Sequence, residues 1–112
     1  MGYYTRYSIT IKNVDEFPED VYHDILKVST YGEDDVMLSH SSIDTAPIKW
    51  YDAIEDMIEI SKKYPSYIFE IYGDGEESDD YWKQYIQNGK TQNANLRFIW
   101  DEFDENKLQE WT

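Results

Sequence analysis

The residues best suited to chemistry lie in one short stretch, YGDGEESDDYW, which spans residues 72–82. It contains five acids, two glycines and three aromatic residues, and it has no basic residue. Carboxylates this close together could bind a metal ion, supply an acid–base pair for catalysis, or present a negative surface to a protein partner. The three possibilities require different arrangements of residues, which can be compared with the sequence.

A metal site is disfavoured by the spacing of the acids. A calcium-binding loop of the helix–loop–helix type has acids at alternate positions, a central glycine and a bidentate glutamate at its twelfth position. Counted from Asp74, the fifth position is Ser78, the sixth is Asp79 where glycine is needed, and the twelfth is Tyr85. We therefore expect no metal site and no cofactor. A metal-assisted enzyme that uses the acidic loop at residues 74–80 is the least favoured function.

Nucleophilic catalysis also lacks support in the sequence. The chain has no cysteine, and its only histidines are His23 and His40, of which His40 adjoins Ser41. Neighbours in sequence do not make a catalytic triad, because a nucleophile and its base must converge from a fixed framework. We expect no catalytic residue and no enzymatic activity.

The overall charge indicates the kind of partner. Twenty-four acidic residues stand against ten basic ones, which gives a formal net charge of -14 and an isoelectric point near 4.2. Such a surface repels nucleic acid and anionic membranes and attracts a protein with a basic surface. No N-terminal apolar run resembles a signal peptide, and no stretch approaches the ~20 apolar residues of a membrane span. We expect a soluble intracellular protein that binds neither nucleic acid nor membrane directly.

Hydrophobic periodicity predicts the elements that must position these residues. Strands are predicted at residues 3–13, 35–41, 67–73, 80–87 and 96–103, and helices at residues 14–29, 50–65 and 104–111. Asn88-Gly89 predicts a hairpin, and Asp52 with Glu55 matches a helix capping box. Helices interleaved with strands predict a single α+β domain over residues 1–112, with a mainly antiparallel sheet, two helices on one face and a short C-terminal helix. The predicted core includes Ile54, Met57, Ile58, Phe69 and Ile71.

An acidic face on a rigid frame can imitate nucleic acid. Carboxylates three or four residues apart on a helix lie roughly 5–6 Å apart, close to the ~7 Å between successive phosphates of one strand. We predict a partner-binding surface made of the acids of the second helix and the acidic loop, with nearby aromatic residues as anchors. Its residues are Glu55, Asp56, Glu59, Tyr72, Asp74, Glu76, Glu77, Asp79, Asp80, Tyr81 and Trp82.

The segment KWYDAIEDMIEISKKYPSYIFEIYGDGEESDDYWKQYIQNGK, residues 49–90, resembles a group of small phage-encoded proteins with a ferredoxin-like α+β fold. The resemblance implies a ferredoxin-like domain. It also implies a non-enzymatic inhibitor, in the host cytoplasm, of a host defence protein with a basic nucleic-acid groove, such as a restriction enzyme, a CRISPR effector or another nuclease. It carries over no catalytic residue. The alternative is a structural or regulatory module that oligomerises through an aromatic sheet face, and a homodimer is left open.

Overall fold

The computed structural model describes residues 3–96 and 99–110, and in that part six strands form one antiparallel sheet in the order β2-β3-β1-β4-β5-β6. The strands are β1 Thr5–Ile11, β2 Val36–Leu38, β3 Ser42–Thr45, β4 Phe69–Gly75, β5 Tyr81–Gln87 and β6 Lys90–Ala94. Helix α1 Glu19–Ser29 follows β1, and helix α2 Ala53–Lys63 follows β3. A single 3₁₀ turn, Glu105–Lys107, lies near the C-terminus. The α+β class and the antiparallel sheet are therefore as predicted.

Both helices pack on one face of the sheet. Alternate residues of β1 are buried, from Thr5 to Ile11, and the buried residues of β4 include Phe69 and Ile71. They share one core cluster with apolar residues of both helices, as expected from the burial of one face of each amphipathic element. No helix of residues 3–96 or 99–110 covers the other sheet face. This open face carries the alternate, more polar residues of the same strands: Arg6, Ser8, Thr10, Glu70, Tyr72, Asp74, Tyr81, Lys83 and Tyr85.

Helix α2 differs in detail from its predicted form. Met57 is fully buried as expected, but Ile54 and Ile58 only pack against the edge of the core, while Ile60 is buried in their place. The capping box is not formed, because the Asp52 side chain accepts no hydrogen bond from the first turn of the helix. Asp52 and Glu55 are consequently exposed to solvent.

The C-terminal third of the sequence departs most from prediction. The strand predicted at residues 96–103 is wrong: Leu96 and residues 99–103 are not in a strand, and Arg97 and Phe98 lie outside the described residues. In place of the predicted terminal helix there is only the 3₁₀ turn. Asp104 caps this turn by accepting a 3.0 Å hydrogen bond from Asn106 N–H. Trp111, the last residue of the predicted helix, lies outside the described part. Strand β3 was not predicted.

Within the described part, neither 11-residue helix, nor any other helix, has the length and apolar character needed to cross a membrane.

Candidate functional site

The acidic loop at residues 74–80 is fastened to the start of the chain. The Tyr3 hydroxyl donates a short hydrogen bond to the Asp80 carboxylate and accepts one of 3.1 Å from Glu77 N–H. Tyr4 N–H donates to Glu76 Oε1 at 2.7 Å, and Gly75 N–H donates to the Asp80 carbonyl at 2.9 Å. The bond to Asp80 is the main reason why the pKa of Tyr3 is raised, since it holds the phenol proton. The loop is thus held in a defined position beside β1.

The N-terminus of α2 reaches the same end of the sheet. Tyr3 N–H donates to the Tyr51 hydroxyl at 3.0 Å, which links the residues before β1 to the segment before the helix. Trp50 Nε1–H donates to Asp56 Oδ2 at 2.7 Å, and the Tyr7 hydroxyl donates to the Trp50 carbonyl at 2.8 Å. These bonds place the first turn of α2 next to the acidic loop.

A third connection, between α1 and β2, lies at this end as well. Lys49 N–H donates to the Tyr31 hydroxyl at 2.9 Å, and Ala46 N–H donates to the Asp35 carbonyl at 2.9 Å. Three connections therefore meet at one end of the sheet: residues 30–35, 46–52 and 76–80. Together with the first turn of α2 they expose seven carboxylates, which we call the acidic pole: Glu33, Asp34, Asp52, Glu55, Glu76, Glu77 and Asp79.

No described cation forms an ion pair with the acidic pole. The four ion pairs among the described residues join lysines to Asp24, Glu59 and Glu70, all outside the pole. Lys49, which lies on one of the three connections, has its ammonium group 4.9 Å from the centre of the Tyr4 ring. Unpaired like charges at one end sustain a negative potential, which attracts a positively charged partner and speeds its association.

A small cavity of about 150 Å³ adjoins the pole at the open sheet face. Asp74 and Glu76 line it, and Arg6, which is opposite Asp74 in the pairing of β1 with β4, lines it too. It is the size of a side chain rather than of a cofactor. Among residues 3–96 and 99–110, no group of three or more histidines or acids is arranged to hold a metal ion.

The structure brings together only part of the predicted surface. Glu55, Glu76, Glu77 and Asp79 are exposed at the acidic pole, and Glu76 also accepts the bond from Tyr4 N–H. Asp56 and Asp80 are only partly exposed, and their carboxylates accept internal hydrogen bonds from Trp50 and Tyr3. Glu59 lies further along α2 and pairs with Lys62 at 2.7 Å. Three members of the pole, Glu33, Asp34 and Asp52, were absent from the predicted surface.

The predicted aromatic anchors lie on opposite faces of the sheet. Tyr72 and Tyr81 are stacked on the open face with ring centres 6.3 Å apart. Burial, followed by the charge of Asp74, raises the pKa of Tyr72, so the Tyr72 phenol remains neutral at ordinary pH. Trp82 instead lies on the covered face, edge-on to Tyr7 at 6.0 Å between ring centres. Only the tyrosines are therefore presented to solvent beside Asp74.

Comparison with known proteins adds no relative to this description: no protein-family model, no curated protein and no solved structure matches the chain.

Proposed function

We propose that the chain is a non-enzymatic binding protein whose acidic pole docks on the basic nucleic-acid-binding surface of another protein. One observation carries this proposal: seven exposed carboxylates from three connections and one helix turn lie at the same end, and none of them pairs with a cation among residues 3–96 and 99–110. Clustering like charges destabilises a folded chain through self-repulsion. A cluster whose loop at residues 76–80 is held in place by hydrogen bonds to Tyr3 and Tyr4 is better explained by recognition than by solubility, which dispersed acids would provide equally well.

The acids would act as a mimic of a phosphate backbone. A basic groove that binds nucleic acid is lined by lysine and arginine, and it gains affinity by neutralising successive negative charges. The acidic pole offers such charges on a preorganised frame, so it would compete with nucleic acid for the same groove. Tyr72 and Tyr81 could add apolar contact at its border, as aromatic residues do in many interfaces.

The biological setting that we propose is inhibition of a host defence nuclease by a phage-encoded protein in the host cytoplasm. The likeness of residues 49–90 to small phage proteins motivates this setting, and defence nucleases carry the required basic grooves. The accompanying proposal for the fold is a ferredoxin-like βαββαβ unit extended by the β5–β6 hairpin. The order β2-β3-β1-β4, with helices after β1 and β3, supports it.

The test is DNA cleavage by purified defence nucleases with and without the protein, at low and high salt. The double variant Glu76→Lys/Glu77→Lys should lose inhibition several-fold, mainly through slower association. The matched control is Asp15→Lys/Glu16→Lys, since this exposed pair makes the same charge change in a connection at the opposite end of the sheet. Equal inhibition by both variants, or no inhibition of any nuclease in the panel, would refute the proposal.

A further inference from the structure

The C-terminal segment exposes large apolar side chains that nothing in the described molecule covers. All residues from 99 to 110 are exposed; we call them the C-terminal arm. Within the arm Trp100 is 93 % exposed, Ile99 83 %, Phe103 79 % and Leu108 69 %. Scattered exposed apolar residues are normal on a protein surface, but two aromatic and two aliphatic side chains in one short segment are typical of an interaction site.

The open sheet face contains a groove at the end opposite the acidic pole. It has a volume of about 460 Å³ and lies around the β5–β6 hairpin. Tyr85 and Ile68 give it an apolar side, and Lys12 and Lys90 stand at its rim. In the part of the chain that the structure describes, strand β6 is the edge of the sheet, and an edge strand can pair with an added extended segment.

The charges of the arm and the groove are complementary. The arm carries five acids, Asp101, Glu102, Asp104, Glu105 and Glu110, against the single base Lys107. The groove presents two lysines and no acid among its lining residues, although Lys12 also lies 4.0 Å from Glu70 Oε1. Because the chain has a net charge of -14, most of its surface repels an acidic segment. The lysines of the groove attract such a segment, and the apolar side of the groove can contact its aromatic residues.

We propose that the chain forms a two-fold symmetric dimer in which the arm of each copy occupies the groove of the other. Trp100 and Phe103 fill the groove, and Asp101 and Glu102 face Lys12 and Lys90 of the second copy. Because this exchange is isologous, both arms are buried at once, each in the groove of the other copy. Two aromatic residues bring about 300–500 Å² of side-chain surface per arm, so two arms and the surfaces they cover reach the ~1,200–2,000 Å² of a standard interface.

Sedimentation velocity of the full-length protein over a range of concentrations tests the dimer. Trp100→Ala/Phe103→Ala should raise the dimer dissociation constant by about 30-fold or more, as the loss of interface hot spots does. Met37→Ala is the matched control, because this side chain is 45 % exposed on β2, at the other edge of the sheet. It should leave the dissociation constant unchanged. A wild-type protein that stays monomeric at every concentration would overturn the proposal.

A charge-swap experiment identifies the surfaces that meet. Lys12→Glu/Lys90→Glu reverses the charge of the groove, and Asp101→Lys/Glu102→Lys reverses the charge of the arm. In a homodimer of either variant, arm and groove would carry the same charge, so each variant alone should be monomeric. Mixed in equal amounts, the two variants should form a heterodimer, because each arm then meets a groove of opposite charge. Circular dichroism checks that both variants are folded. A folded mixture that fails to associate, or reversed variants that still form homodimers, would refute the pairing of arm with groove.

Discussion

Trp82 packs so closely on Gly73 that one added methyl group should disturb both. The two residues are opposite each other in the pairing of β4 with β5. A Cβ atom built on Gly73 would overlap the Trp82 indole, and the three nearest atoms all belong to that ring. The backbone of Gly73 is outside the left-handed region, so alanine meets no conformational penalty there. The substitution Gly73→Ala therefore isolates the steric effect.

The expected loss of stability follows from opposing contributions. Replacing an unstrained glycine by alanine stabilises a protein by about 0.4–1 kcal/mol through the unfolded chain. Overpacking costs about 1–3 kcal/mol, and a displaced Trp82 would give up its edge-on contact with Tyr7, worth about 0.5–1.5 kcal/mol. We expect a net loss of about 1–2 kcal/mol, which corresponds to a fall in melting temperature on the order of 5–10 °C.

The assay is chemical and thermal unfolding of a double-mutant cycle. In a Trp82→Leu background the ring is gone, so Gly73→Ala should be neutral or stabilising, and the coupling energy should reach about 1–3 kcal/mol. Gly32→Ala is the control, because a Cβ atom there has no neighbour within 4 Å. Additive effects of the two substitutions, or a Gly73→Ala protein as stable as the wild type, would show that Trp82 is not packed on Gly73 in solution.

Three further predictions concern the core, one ion pair and the acidic pole. Phe69→Ala should cost about 3–5 kcal/mol in denaturant unfolding, because Phe69 is fully buried; an unchanged stability would contradict the β4 register. Burial alone would raise the pKa of Asp24, but hydrogen bonds from Lys63 and Tyr64 outweigh it and lower that pKa below 3.8. The pairing therefore stabilises the fold above pH 3.8, and this contribution is lost as the pH falls through the lowered pKa. Asp24→Asn should cost about 1 kcal/mol at neutral pH, and the difference from the wild type should vanish in acid. Glu77→Gln/Asp79→Asn should raise the melting temperature slightly at low salt and not at high salt, whereas a salt-independent change would argue against repulsion within the acidic pole.

The elements with strong local patterns were predictable. The alternation of Tyr7, Ile9 and Ile11 gave the buried face of β1, and the β4 register followed from the same rule. The hairpin was predictable from Asn88-Gly89, whose φ angles of 46° and 78° are those of a turn that needs left-handed residues. In each case a few neighbouring residues determine the conformation, so no knowledge of distant contacts was needed.

The last strand was misplaced because turn geometry outweighed side-chain preference. A two-residue turn at Asn88-Gly89 requires pairing to begin at once, so the polar segment Lys90–Ala94 pairs with β5. The more strand-like sequence around Ile99 and Trp100 is then left outside the sheet and lies exposed. β propensity depends on packing against neighbouring strands, and here the turn already determines which segment lies next to β5.

Three of the seven carboxylates of the acidic pole could be assigned to it only with knowledge of the topology. In an alternating fold, successive connections lie at opposite ends of the sheet, so residues 30–35, 46–52 and 76–80 share one end. These three connections hold eight acids, whereas those at the other end, residues 12–18, 39–41, 64–68 and 88–89, hold two. Tracing alternate connections would have added Glu33, Asp34 and Asp52 to the predicted surface. Proximity in sequence instead favoured Glu59, which the helix carries away from that end.

The two proposed surfaces should respond differently to salt, and this makes them separable. The acidic pole acts through unpaired charges in solvent, so its affinity for a basic partner should fall steeply as ionic strength rises. The arm contributes Trp100 and Phe103 to an apolar groove, and burial of apolar surface is maintained or strengthened by salts such as sulfate. High sulfate should therefore preserve self-association while it abolishes nuclease inhibition. If both were lost together, dimerisation would depend on charge alone, and the aromatic residues of the arm would need another explanation.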